Sequence, residues 1–442
     1  MPQAEAGMHA RPDVDWLFRR LVWVLTSLTI VGAGIAYAGK AADNRSAFVR
    51  WRHQVHMLWD GVNIYDTLLF PNPPIMPITL APFMALPKLP GALSWFAFKI
   101  VITAFSAWFC FDMVRKPGAK SPLPSWVIGP TLLLSLRPIL SDLHHGNNNL
   151  LILFVVVASL QAWRKGYDVL SGILLALAIA YKVTPALFVP YFMYKQSWRT
   201  VLWTMLGLGI FLLIVPSLVL GVGFNAECLA MWWHRIVSPF VTKGEAGASE
   251  INQSLVGLMM RLFTAPKDDA GIYDPHFDVH LLVRPAAEVA RLAKVISIGL
   301  VGLLALFCRT KSKRRDDPRM LGEFSLVVLT MLFVSERSWK HHYVTLLLPY
   351  TYLMYRVGMP ALSRRARILI ASGLALSCLL MATTSSEIGG LFVNGVGHKL
   401  AQAYGMFLAS GFVLYGLTAW RVVVEGKLPE PLAEPSSPEP TE

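Results

Sequence analysis

Charge is what this 442-residue chain lacks most. Only 15% of its residues are Asp, Glu, Lys or Arg, and 55% are hydrophobic, whereas soluble globular chains carry about 25% charged and roughly 45–50% apolar residues. Mean hydropathy is +0.50, so a water-soluble multidomain enzyme and a disordered chain are both excluded. Cysteine is scarce too: Cys110, Cys228, Cys308 and Cys378 lie far apart, three of them in apolar runs. That spacing builds neither a disulfide framework nor a zinc site. There is no Walker loop or other nucleotide-phosphate cradle, and no internal repeat of the transporter kind is evident. The charge that is present is lopsided, with 40 Lys and Arg against 27 Asp and Glu, a formal +13. Such a surplus suits nucleic acid or the anionic inner leaflet of a membrane. Its distribution decides between them.

Apolar stretches fit to cross about 30 Å of hydrocarbon recur at 17–38, 90–114, 124–140, 149–163, 201–221, 289–308, 321–334, 343–355, 368–386 and 401–424. The stretch 170–194 is interrupted by Lys182-Val183-Thr184-Pro185. Each half is too short to span at 1.5 Å per residue, which predicts two short helices meeting at Lys182 inside the protein. With the amino terminus inside, 22 of the 40 basic residues fall in short inner segments and 13 in much longer outer loops. The asymmetry predicts an N-in, C-in topology and removes nucleic acid as a partner. Residues 1–16 then form a cytoplasmic amino terminus and 17–426 a polytopic membrane domain, with outer loops 39–89, 141–148, 222–288, 335–342 and 387–400. The Pro- and Glu-rich segment 427–442 reads as a disordered cytoplasmic tail. Ala36-Tyr37-Ala38 has the look of a signal-peptidase site, but the apolar run before it is longer than a signal h-region, so a retained span is expected.

The unusual polar clusters crowd the outer side. Loop 39–89 carries Asp43-Asn44-Arg45, Asp60 and Pro71-Asn72-Pro73-Pro74, the last read as a turn. The link 141–148 carries His144, His145 and Asn147, and leads into Asn149. Loop 222–288 holds Asn252-Gln253-Ser254 and Arg261, and 335–342 holds Trp339, Lys340, His341 and His342. Each cluster has an ordinary reading. Carboxylates just outside a span are usually solvated, Asn-rich links form turns and caps, and paired histidines often only bond at the interface. Lys182 is different, because an ammonium in an apolar segment faces a cavity or ligand by default. Arg137, near the outer end of its span, can snorkel. Together they suit an anion at the lipid–water boundary, and a lipid phosphate matches the guanidinium fork and the ammonium point charge. Group transfer from such a phosphate needs a base for the acceptor hydroxyl and cations for the departing phosphate. With Arg and Lys supplying that charge, no metal and no cofactor are expected.

The order of these landmarks resembles glycosyltransferase family 87, membrane enzymes that use polyprenyl-phosphate sugars. The matching features are Gly61-x-x-x-Tyr65 before Pro73-Pro74, Gly146-Asn147-Asn148-Asn149, Lys182-x-x-Pro185, Asn252-Gln253-Ser254, and Ser335 to His342 with Trp339 before the histidine pair. The resemblance covers roughly 42–355. It implies an all-α, polytopic helical bundle of the GT-C type, here about ten full spans plus the broken helix pair. The implied activity is inverting, metal-independent transfer of a mannose or arabinofuranose unit from a polyprenyl phosphate to a lipid or glycan hydroxyl. The implied setting is the outer face of a bacterial cytoplasmic membrane, with no obligate protein partner. By the same resemblance Asp43 is the catalytic carboxylate, with Asp60 as fallback, and His341 and His342 share the base role or orient the acceptor. Arg137, Lys182, Arg45 and Arg261 are candidates for the donor phosphate. His144, His145, Asn147, Asn149, Asn252, Gln253, Ser254 and Trp339 are candidates for the cavity wall. The competing reading is a transporter or flippase for a lipid-linked sugar, or another glycan transferase such as an O-antigen ligase.

Overall fold

The computed structural model describes residues 12–115, 123–243, 247–265, 279–311, 313–359 and 362–426, and every regular element among them is helical. The sequence's tail segment 427–442 lies outside the described residues. Six helices are long and apolar enough to cross a membrane: Trp16–Ala42, Lys88–Val114, Trp198–Leu220, Ala286–Phe307, Arg364–Ala382 and Met406–Glu425. They wrap a centre of shorter helices. Asn149–Arg164 and Arg319–Val334 are buried almost all round, which explains why both sequences are near-continuous apolar runs without a polar face. At the opposite extreme, Trp16–Ala42 turns its apolar surface outward, with exposed Leu17, Trp23, Leu28 and Ile35, as a lipid-facing helix must.

The segment 39–89, expected as a loop, is more ordered than one. It contains the helices Ala47–Trp59, Ile64–Thr67 and Ile75–Met84. Ser46 starts the first by accepting the Val49 N–H at 3.2 Å. Likewise, the link 141–148 contracts to Gly146–Asn148, because the Ser125–His145 helix continues through buried Asp142 and Leu143.

The predicted break at Lys182 is present. Asp168–Tyr181 stops at an extended Lys182, a 3-10 turn covers Thr184–Leu187, and Phe188–Tyr194 follows. The broken helix is fastened at its far end by Glu323, which is fully buried. Its carboxylate meets Lys195 Nζ at 2.7 Å and accepts from the Tyr191 hydroxyl at 2.9 Å and the Thr310 N–H at 2.7 Å. A second buried acid, Glu425, lies between Arg356 at 2.5 Å and Arg421 at 2.7 Å. These two buried acids are paired, as the cost of burying charge requires.

Candidate active site

The Ser125–His145 helix ends on Gly146, whose φ of +68° puts it in the left-handed region that favours glycine. A Cβ there would stand 2.8 Å from the Tyr37 hydroxyl. This turn delivers Asn147, Asn148 and Asn149, all buried, to three different neighbours. Asn149 donates to Oδ2 of Asp142 from both its backbone N–H and its Nδ2, each at 3.1 Å. Its Oδ1 is left to accept from Lys182 Nζ at 3.3 Å. Asn148 donates to Asn72 Oδ1 at 3.3 Å, and Asn72 donates to the Tyr181 carbonyl at 2.8 Å, just before the break. The amide of Asn147 lies 3.0 Å from Nε2 of His341.

Beneath this link is a buried ion pair. Lys99 Nζ is 3.2 Å from Oδ1 of Asp142 and donates to its carbonyl at 2.9 Å, with both side chains fully buried. Asp142 thus joins two cations: Lys99 directly, and Lys182 through Asn149. The sequence reading assigned no role to Lys99, Asp142 or Asn72. The signal was available for the pair, since a lysine within an apolar run demands an acid at similar depth.

The histidines gather above. His145 and His341 have ring centroids 5.6 Å apart, and His341 and His342 are 4.9 Å apart. Trp339 stacks on His342, and its N–H donates to His342 Nδ1 at 3.1 Å. The charges of Lys182 and Lys340 both act on His341. Burial first, then His342, His145 and those two lysines, hold His341 well below the usual imidazole range. Burial and Lys182 do the same to His342. His341 Nδ1 is buried without a hydrogen-bond partner among the described residues. Lys340 is brought down to about 8, by burial and then by the like charges of Arg137 and Lys40. The nearby acid whose charge acts on Lys340 is Glu387, itself exposed.

The remaining expected site residues lie at the rim or beyond it. Asp43 is exposed at the rim, 2.7 Å from Arg45. Lys88 ties that turn by donating to the Ala42 carbonyl at 3.0 Å and to Asn44 Oδ1 at 3.2 Å. Lys40 and Arg45 come close enough to exposed His144 for their charges to act on it. Asp60 is an exposed residue at the end of the Ala47–Trp59 helix. Arg137, half-buried, donates to the Thr384 carbonyl at 3.0 Å.

Asn252, Gln253, Ser254 and Arg261 are spent on backbone groups. Asn252 accepts from the Ser338 N–H at 3.1 Å and donates to the Glu336 carbonyl at 3.0 Å. Gln253 donates its N–H to the Ser338 carbonyl at 2.6 Å and its Nε2 to the Gln402 carbonyl at 2.7 Å. Ser254 bonds the Glu336 carbonyl at 3.2 Å and accepts from the Gly257 N–H at 3.1 Å, capping the Leu255–Phe263 helix. The Arg261 guanidinium donates to the carbonyls of Ser249 at 2.6 Å, Ala403 at 2.7 Å and Asn252 at 3.2 Å. A buried guanidinium has to satisfy its donors, and these carbonyls do so. Asn252, Gln253 and Ser254 staple the 335–342 link that carries the histidines, and Arg261 holds the Ser249–Asn252 turn behind them.

What converges, then, is a set of neutral imidazoles beside Lys182, Lys340 and Arg137, with Lys40 and Arg45 at the rim. Such a set can take a proton and receive an anion. Among the described residues no three His, Cys, Asp or Glu side chains converge as metal ligands.

Comparison with known proteins places this arrangement. A polyprenol-phosphate-mannose-dependent alpha-(1-2)-phosphatidylinositol mannoside mannosyltransferase of Mycolicibacterium smegmatis is 26% identical over 372 residues, 78% of this chain and 77% of the relative. A protein of the same description from Mycobacterium tuberculosis is 25% identical over 295 residues, 63% of this chain and 60% of the relative. A polyprenol-phosphate-mannose-dependent alpha-(1-2)-phosphatidylinositol pentamannoside mannosyltransferase of M. smegmatis is 28% identical over 327 residues, 73% of this chain and 70% of the relative. The model of glycosyltransferase family 87 matches residues 70–335, a stretch that contains Lys99, Asp142, Asn149 and Lys182. On that match, the chain belongs to glycosyltransferase family 87.

Proposed function

We propose that this chain transfers a sugar of the mannose type from a polyprenyl-phosphate donor to a hydroxyl of a lipid or glycan acceptor. The reaction takes place at the outer face of a bacterial cytoplasmic membrane, by inversion and without a metal. The observation that carries the reading is the crowding of Lys40, Arg137, Lys182 and Lys340 around neutral histidines, with exposed Glu387 near Lys340 and Asp142 reaching Lys182 only through Asn149. Cations held together against their mutual repulsion suit an anionic ligand, and the relatives are named for a phosphate-linked donor. The chain follows the GT-C plan, with about ten spans, the broken pair at Lys182, and both termini inside. Its outer loops are 39–89, 141–148, 222–288, 335–342 and 387–400.

The acceptor hydroxyl loses its proton to a base as its oxygen bonds to the anomeric carbon. The bond from that carbon to the phosphate oxygen breaks, and the polyprenyl phosphate leaves with the electron pair. A single displacement inverts the centre. Lys182, held by Asn149, and Arg137 face the departing phosphate, where developing charge is stabilised most. Asp43, open to solvent at the rim, is the base in this reading. His341 is the second candidate, favoured by its unpaired Nδ1. If the Asn147 amide presents its oxygen to Nε2–H, the Nδ1 lone pair is free to take a proton.

The test is incubation of the purified protein with polyprenyl-phosphate mannose, the arabinofuranose analogue and phosphatidylinositol mannoside acceptors, with and without a chelator. Release of polyprenyl phosphate with a glycosylated acceptor supports the reading. Movement of intact donor across vesicles without release replaces it with a carrier. Asp43→Asn and His341→Gln then separate the two bases, the true one losing roughly 100-fold or more in turnover.

A further inference from the structure

At the far end of the Asn149–Arg164 helix, roughly 22 Å from Asn149 at 1.5 Å per residue, lies a cavity of about 420 Å³ with no place in the reaction above. It is lined by Arg164, Lys165, Lys195, Lys313 and Arg315, against one carboxylate, Asp316. Two of the cations are spoken for: Lys195 pairs with Glu323, and Arg315 with Asp168 at 2.6 Å. The other three are engaged differently. Arg164 donates to the carbonyls of Asp112, Arg115 and Asp316, while its buried Nε has no hydrogen-bond partner among the described residues. Lys165 is half exposed and 3.6 Å from Asp112. Lys313 is exposed.

Two further features point to the class of ligand. Ser197, in the cavity wall, precedes the Trp198–Leu208 helix, and its side chain does not cap that helix, leaving first-turn N–H groups and the positive end of the dipole near the cavity. Beside the lining residues in sequence stand Tyr167, Tyr194 and Trp198, which are 62%, 49% and 59% exposed. Exposed Tyr and Trp mark the level where a bilayer meets water. A basic hollow at that level, between helix ends, suits the phosphate of an anionic lipid.

We infer that this cavity binds the headgroup of an anionic phospholipid in the leaflet opposite the transfer site. Lys165 and Lys313 supply the donors, and Arg164 adds its charge in the wall behind them. A free phosphate offers the same oxygens without the acyl chains that hold a headgroup beside Trp198, so the lipid is the occupant.

The experiment is native mass spectrometry of the full-length protein in detergent with equal amounts of phosphatidylglycerol and phosphatidylcholine. Wild-type protein retains phosphatidylglycerol selectively. The double variant Lys165→Gln/Lys313→Gln, both at exposed positions, loses that retention by roughly tenfold or more, in line with removal of two surface cations. Arg309→Gln/Lys311→Gln, on the same face but outside the cavity, keeps it. Equal retention of the two lipids by wild type overturns the inference. So does undiminished binding in the cavity variant, or equal loss in the control variant, which would mean a diffuse basic surface. Displacement of the lipid by millimolar inorganic phosphate would replace lipid with free anion as the ligand.

Discussion

Lys99 and Asp142 have no access to solvent, so neither charge survives there without the other. Asp142→Asn leaves Lys99 unmatched and frees the Asn149 amide that faces Lys182. The expected cost is about 3–5 kcal/mol of stability, read as a lower unfolding temperature in detergent. The double variant Lys99→Met/Asp142→Asn regains most of that stability but not the donor affinity, because a neutral amide oxygen holds Asn149 less firmly against Lys182 than the carboxylate does. A second residue-scale expectation concerns pH. His341 and His342 are held below their ordinary value of about 6.5, so in the window beneath that value the unfolded chain binds protons that the folded one refuses. Stability is therefore full above about pH 6.5 and falls as pH drops below it. Unfolding temperatures measured from pH 8 to pH 5 should decline in the acid half, and more gently in His341→Gln.

Among elements, the turn Gly146–Asn148 shows how one short link can set a site. Its left-handed glycine lies against Tyr37, and the residues after it reach the ion pair, the helix break and the histidine link. Gly146→Ala should cost about 1–3 kcal/mol through backbone strain and displace Asn147 from His341. Thermal unfolding and turnover should fall together, and unchanged turnover would detach the turn from the chemistry. The Gly-Asn-Asn-Asn signature and the Lys-x-x-Pro break were legible because local backbone chemistry writes them. The role of Asn72 was not, since Pro71-Asn72-Pro73-Pro74 reads as a turn until its amide is found against Tyr181, 109 positions away. For the same reason the sequence offers Asn252, Gln253 and Ser254 as cavity residues and Arg261 as a phosphate ligand without showing their bonds to Glu336, Gln402 and Ser249.

Across the whole molecule, the paired buried charges and the crowded, unpaired ones separate structure from site. Glu323 and Glu425 each satisfy cations within the core, whereas Arg137, Lys340 and Lys40 gather with exposed Glu387 as the acid acting on Lys340, and Lys182 reaches Asp142 only through Asn149. Sidedness is testable directly. The four native cysteines are buried or half-buried, so Asp60→Cys and Arg365→Cys report cleanly with an impermeant maleimide on intact cells. Labelling of the first alone is expected, and the reverse pattern would invert the topology. The chain's composition determined that it is a membrane protein, and its charge asymmetry predicts which segments face each side. Those properties follow from transfer energies that act residue by residue. Which polar groups share a site was decided only by the tertiary structure. The distances from Lys99 to Asp142, and from Asn147 to His341, depend on how helices far apart in sequence pack, and no local pattern encodes that.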